Sequence, residues 1–200
     1  MNAWLATLFF TAIAALEPFH KVEESHGIVV EAQKVQGSPF ENLRVSTHTK
    51  ASAEKLESAV WAAHPENKEN WAPGVSTREM IADRADERTF YEIVGTPIVS
   101  DRDYVMTVKR RRDPQTRVVQ VSFTTVTHPR FPPKSGIVRL PRVEGECTIE
   151  PAEGGGSDIS YVLFSDPGGS LPAFVARSAQ RDSTVKWILD ILRRAGDPRS

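Results

Sequence analysis

The chain has 200 residues, with 25 basic and 26 acidic side chains and a net charge of -1, which fits one globular domain at the large end for a single core. So even a balance removes the electrostatic case for nucleic acid, which needs a basic face or stripe, and for strong attraction to an anionic membrane. Cys147 is the single cysteine, which excludes intramolecular disulfides and clustered thiolate metal sites.

In chain order, the opening segment reads first as a targeting signal. Trp4 to Leu16 is an uncharged, mostly apolar run ending at Glu17-Pro18, shorter than the about 20 residues a bilayer crossing needs. Ala12-Ile13-Ala14 supplies a small-x-small cleavage pattern, although the n-region carries no Lys or Arg beyond the amino terminus. Residues 1–16 are therefore expected to be a signal peptide and the protein secreted or periplasmic. The alternative is a buried N-terminal helix in a cytoplasmic protein.

Gly27 to Val35 and Phe40 to Thr47 are strand-like, with Gly37-Ser38-Pro39 as the turn between them. Ser52 caps a helix running to about Ala63, with Leu56, Ala59, Val60 and Ala63 on one face, and His64-Pro65 ends it. Glu66 to Asp86 is polar and expected to hold short helical stretches, anchored by Trp71. From Glu87 the period changes to two: "RTFYEIVGT", "RDYVMTVKRRR" and "RVVQVSFTTVTH" read as successive antiparallel strands. "HPRFPPKSG", residues 128–136, is a proline-rich loop with an exposed-looking Phe131. Strands around Ile137 to Ile149 and Ile159 to Phe164 follow, joined through Glu153-Gly154-Gly155-Gly156-Ser157. After Asp166-Pro167-Gly168-Gly169 the chain ends in one long amphipathic helix, with Ser170 as expected N-cap and Pro172 in the first turn. Its Phe174, Val185, Ile188, Leu189 and Leu192 recur near helical spacing and are expected to face the sheet.

Among candidate site residues, Arg139 stands out. Strict alternation from Ile137 places it on an inward row with Val143, Cys147 and Ile149, as that row's lone charge. It reads either as a polar handle for a ligand oxygen inside a cavity or as half of a structural ion pair with Glu92 or Asp103, the commoner arrangement. Val119, Val121 and Phe123, with Tyr91 and Ile93, form apolar rows that suit either a pocket wall or simple core.

Other patterns carry less. "KRRRD" at 109–113 sits at a strand end and reads as a solvated edge, and Asp101 and Asp103 read as turn and cap groups. His20, His26, His48, His64 and His128 have no zinc-ligand spacing. Cys147 lies mid-strand as a small hydrophobe. The Gly154-Gly155-Gly156 run has no following Lys-Ser/Thr and is a hairpin tip, not a phosphate loop.

"GTPIVSDRDYVMTVKRR" (95–111), "SGIVRLPRVEGECTIEPAEG" (135–154) and "YVLFSDPGGSLPAFVARSA" (161–179), in that order and before a terminal helix, together resemble START domains, the lipid-transfer domains related to the steroidogenic acute regulatory protein. The resemblance implies an α+β helix-grip fold over residues 17–200: a curved antiparallel sheet wrapped around a long C-terminal helix, with a helical insertion after the first strands. It implies binding or transfer of a lipid, sterol or other hydrophobic molecule in a tunnel, without catalysis or cofactor, by a monomer making transient membrane contact. Under it, Arg139 matches an arginine that adds a polar spot to the tunnel in some members. Tyr91, Val121, Phe123, Tyr161, Phe174, Val185, Ile188 and Leu189 would line the ligand site, with Phe131 in the gating loop 128–136. Ser170 departs from the bulky aromatic that many members carry there. The rival within the same fold is a polyketide cyclase or aromatase using Arg139, Tyr91 or Tyr161.

Overall fold

The computed structural model describes residues 17–62, 68, 74–95 and 100–197. The signal-like run 1–16, Ala63 to Pro65 and Trp71 lie outside the described residues. In order come β1 (His20–Ser25), β2 (Ile28–Lys34), β3 (Glu41–Thr49), α1 (Ala53–Trp61), β4 (Val75–Asp83), β5 (Glu87–Val94), β6 (Arg102–Arg112), β7 (Val119–Val126), β8 (Val138–Arg139), β9 (Arg142–Pro151), β10 (Ser157–Asp166) and α2 (Ala173–Arg194). The strands form one curved sheet in the order β1-β2-β3-β10-β9-β7-β6-β5-β4, antiparallel throughout, with short β8 pairing parallel to β6 off this path.

The period-two pattern sorts side chains to two faces. Val30, Val45, Tyr161, Cys147 and Val121 are successive cross-strand partners on the inner face. Across that face lies α2, whose buried Ile188, Ile191 and Leu192 pack with Val45, Ile149, Ile159 and with Leu56 and Ala59 of α1. Each such side chain contributes about 1.5 to 3 kcal/mol by leaving water. As expected, Ser52 caps α1, its Oγ accepting the Lys55 N–H at 3.4 Å. The far end of α2 closes in a Schellman turn: Gly196 (φ 80°) donates to the Arg193 carbonyl and Asp197 N–H to the Leu192 carbonyl. Asp197 is itself buried and accepts a hydrogen bond from the Thr49 hydroxyl, tying the helix end to β3.

Several expectations are corrected. The supposedly helical stretch up to Asp86 contains strand β4, whose alternation is scrambled by register shifts between Val75 and Thr77 and between Met80 and Ala82. The single strand expected from Ile137 to Ile149 is two, β8 on β6 and β9 on β7 and β10. The change of partner falls at Leu140-Pro141, where proline has no ladder donor. Side-chain parity changes there too: Leu140 and Val143 both pack inward, whereas Arg139 faces outward. Tyr91 and Ile93 likewise lie on the outer face, with Val105 and Phe131, because the inward set of β5 is Phe90 and Glu92.

At the hinge before α2, Gly168 and Gly169 take φ 60° and 66°, and the Asp166 carboxylate accepts the Gly168 N–H at 2.9 Å. The N-cap is Pro172, not Ser170, and it makes no side-chain cap; a residue preceding proline is disfavoured in helical geometry, which keeps Leu171 out of the helix. Phe174 in the first turn is 69% exposed, against the expected inward placement, and the buried position of that turn is Ala176.

Candidate functional site

Between the inner face of the sheet, the last turn of α1 and the middle of α2 lies a cavity of about 320 Å3. Its wall is aromatic. Phe123 stacks on Tyr161 with ring centroids 5.4 Å apart, and Tyr161 meets Trp187 of α2 at 4.3 Å. Phe90 and Trp61 complete the surround, with Val121, Met106 and Leu163 between them. Gly145, the cross-strand partner of Phe123 and Leu163, makes the stack possible. A Cβ there would collide with the Phe123 ring and with the Val162 carbonyl oxygen. Cys147 also faces the cavity, and burial pushes its thiol up to about 12, which makes it an inert apolar lining group.

One end of the cavity is polar. Arg78, Glu92 and Tyr104 are direct cross-strand partners on β4, β5 and β6. The Arg78 guanidinium donates to the Glu92 carboxylate, and the Tyr104 hydroxyl donates to its other oxygen. Arg78 and Glu92 side chains are 4% and 2% exposed, and the guanidinium lies 4.8 Å from the centroid of the Phe90 ring. Burial pushes the Glu92 carboxyl up, opposed by the charge of Arg78 and the Tyr104 hydrogen bond. Protonating Glu92 would strand the Arg78 charge in the same apolar enclosure, so the ionised pair is the neutral-pH state that the contact geometry supports. A third charge, Arg88, pairs with Asp83 at 2.8 Å and stacks over Trp61 at 4.4 Å.

Of the residues singled out by sequence, Val121, Phe123 and Tyr161 line this cavity. Ile188 is core beneath it, and Val185 and Leu189 pack partly buried against the same core. Phe174 is on the surface. Arg139, Tyr91 and Phe131 come together elsewhere, on the outer face. There Arg139 grips Asp103 with both arms at 2.7 and 3.0 Å and donates to the Phe131 carbonyl at 2.9 Å. Tyr91 donates to Asp103 at 2.9 Å, and its ring stacks on Phe131 at 4.4 Å. The ion-pair alternative for Arg139 is thus the observed one, with Asp103 as partner. Asp103 is fully buried, not a turn or cap group. Phe131 is 6% exposed: the proline-rich loop is fastened to the sheet.

Sequence reading missed Arg78, Tyr104, Trp61 and Trp187, and offered Glu92 only as a partner for Arg139. Glu92 and Tyr104 alternate with Phe90 and Met106, so choosing the other parity for β5 and β6 would have found them. Trp187 falls between the buried Thr184 and Ile191 at helical spacing. Two further depressions, of about 370 and 620 Å3, lie on the outer face around His48 and Asp158 and between α1 and the end of α2. Both are shallow and bordered by exposed polar groups.

Residues 20–197 match the START domain family. The chain is 25% identical over its whole length to an uncharacterised protein of Pseudomonas aeruginosa, covering 97% of it. It is 26% identical to the phosphatidylcholine transfer protein of Mus musculus, over 58% of this chain and 56% of that protein, so the match spans little more than half of that relative. The crystal structure of a STAR-related lipid transfer protein fragment from Xanthomonas axonopodis superposes with a TM-score of 0.76 at 25% identity, covering 88% of this chain and 98% of that one.

Proposed function

This chain belongs to the START domain family, and from that premise we propose that it carries one hydrophobic small molecule in the cavity beneath α2, without chemical turnover. The observation that supports this most is the aromatic wall of Phe123, Tyr161 and Trp187 beside a polar end whose charges are already paired with each other. Binding is driven by apolar ligand surface leaving water, at roughly 25 cal/mol per Å2. Catalysis needs an acid or base with a proton to exchange within hydrogen-bond reach of substrate. Here Glu92 is engaged by Arg78 and Tyr104, which favours a holding role over a cyclase one. Val121, Phe123 and Tyr161 are the ligand contacts in this reading. Residues 1–16 act as an export signal, which amino-terminal sequencing of protein recovered from the periplasm or medium would test, a start near Ala15 or Glu17 being expected.

The deciding experiment is native mass spectrometry of the purified protein, followed by solvent extraction of whatever accompanies it. A stoichiometric apolar adduct is expected, together with its loss in folded Val121→Gln and Phe123→Gln variants. An adduct retained by both folded variants would place the ligand elsewhere and overturn this reading.

A further inference from the structure

The outer face of the sheet is divided by charge. Lys109, Ser122 and Glu146 form one row across β6, β7 and β9, each the direct cross-strand partner of the next. They alternate with Val108, Val121 and Cys147, which line the cavity, and so point away from it. Lys109 and Ser122 are exposed and Glu146 is half-buried. The neighbouring row runs Arg111, Gln120 and Thr148. Basic side chains thus stand on β6 and a carboxylate on β9, about 10 Å away at two strand spacings, with only short or neutral side chains between them.

Most carboxylates on this face already have a cation: Glu144 pairs with Arg142 and Glu31 with Arg44. Among the described residues Glu146 has none. Its Oε1 accepts only neutral donors, the Thr148 hydroxyl at 3.0 Å and the Gln120 amide at 3.4 Å. These fix the carboxylate in place without neutralising it. Lys109 does contact Glu87 at 3.2 Å, but a surface pair of this kind contributes little and leaves two of the three ammonium donors unused. The row is self-complementary. A two-fold axis along β7, between two copies packed outer face to outer face, exchanges the ends of each row: Lys109 of one copy meets Glu146 of the second, and the reverse contact forms across the axis. An axis across the strands would set β6 over β6 and bring like charges together, which electrostatics opposes. Packed sheets keep their strands within about 30° of each other, as the first arrangement requires.

We propose that the outer face of β6, β7 and β9 is an interface between two copies of this chain, closed by reciprocal Lys109–Glu146 contacts about a two-fold axis along β7. A contact confined to three strands of a curved sheet belongs to the small class of interfaces, below about 1,200 Å2 in total, so the pair is transient and concentration-dependent. The cavity and α2 lie on the opposite face of the sheet and stay on the outside of the pair. The dimer therefore stands or falls independently of the carrier reading.

The test is sedimentation velocity on the purified protein over a concentration series. Wild type is expected to dimerise reversibly, with the Kd rising at least tenfold between about 20 mM and about 500 mM salt as the contacts are screened. Lys109→Glu and Glu146→Lys, each alone, should abolish association, because like charges then face each other across the axis. An equimolar mixture of the two variants should pair, since every facing position is again of opposite sign, and the double variant should associate as wild type does. Circular dichroism checks that each variant folds. Should either fail, Lys109→Gln and Glu146→Gln take their place, each expected to raise the Kd at least threefold. A wild type that is monomeric at every concentration overturns the proposal. So do dimers that survive both reversals, or reversed variants that do not pair when mixed. Binding of a monomeric wild type to phosphatidylglycerol vesicles, lost in Lys109→Glu, also overturns it and assigns the basic row to an anionic surface.

Discussion

Asp103 holds together three partners on the outer face, Arg139, Tyr91 and, through Arg139, the backbone of Phe131. Burial alone would raise its carboxyl, but the hydrogen bonds from Arg139 and Tyr91 and the charges of Arg139 and Lys134 outweigh it and leave the group below its ordinary 3.8. The folded chain therefore holds the ionised form more tightly than the unfolded chain does. Its stabilisation is complete above about pH 3.8, the unfolded value, and is lost as pH falls through the lower folded value. Asp103→Asn should lower unfolding free energy at pH 7 by about 2 to 3 kcal/mol, less than the roughly 3 to 5 of a fully enclosed pair because Arg139 is partly exposed. Urea denaturation should show that gap closing as pH falls below about 3.8. A gap that stays constant with pH would mean the pair contributes through packing and not through charge.

Among the elements, β9 and α2 carry sharp tests. Gly145→Ala places a methyl group where the Phe123 ring and the Val162 carbonyl oxygen already sit. A loss of about 2 kcal/mol or more is expected from overpacking, together with a changed near-ultraviolet circular dichroism signal as the Phe123–Tyr161–Trp187 stack shifts. Thr49→Val removes the hydroxyl that satisfies the buried Asp197 carboxylate at the end of α2. That should cost about 1 to 3 kcal/mol, with amide exchange rising first in the last turn of the helix. These elements also show what could be read in advance. The strands β5 to β7, the glycine-rich hairpin before β10 and the extent of α2 were legible because their alternation or helical period runs unbroken. The strand β4 was hidden by its register shifts. The inward and outward assignments of Arg139 and Tyr91 failed for related reasons. Where the loop 128–136 covers the outer face, β5 and β6 carry apolar residues on both parities, and proline at 141 reset the count between β8 and β9. A cavity does lie under α2, but its polar end depended on pairing three strands whose contacts are invisible to local periodicity.

At the scale of the whole molecule, the sheet, α1 and α2 meet in one core cluster beside the cavity, so ligand bound there should stabilise the fold as a unit. At a free concentration of about 100 times Kd, the linkage contributes about 2.7 kcal/mol. For a chain of this size that is a rise in Tm of roughly 5 to 10 °C. Differential scanning calorimetry with the molecule recovered by solvent extraction should show that rise in a single transition. A rise without a single transition would mean that the cavity region and the β1–β3 side unfold separately.

The short strand β8 joins parts of the molecule that are distant in sequence. The Arg139 side chain fastens the loop 128–136 through the Phe131 carbonyl. On its other side, Val138 and the Arg139 carbonyl leave so little room at Gly168 that a Cβ there would lie 3.1 to 3.3 Å from them. The loop and the hinge of α2 are therefore two leaves hung on one pin. If the cavity is filled and emptied by moving either leaf, the other feels the same displacement, and loading and unloading share a single rate-limiting step in place of two independent doors.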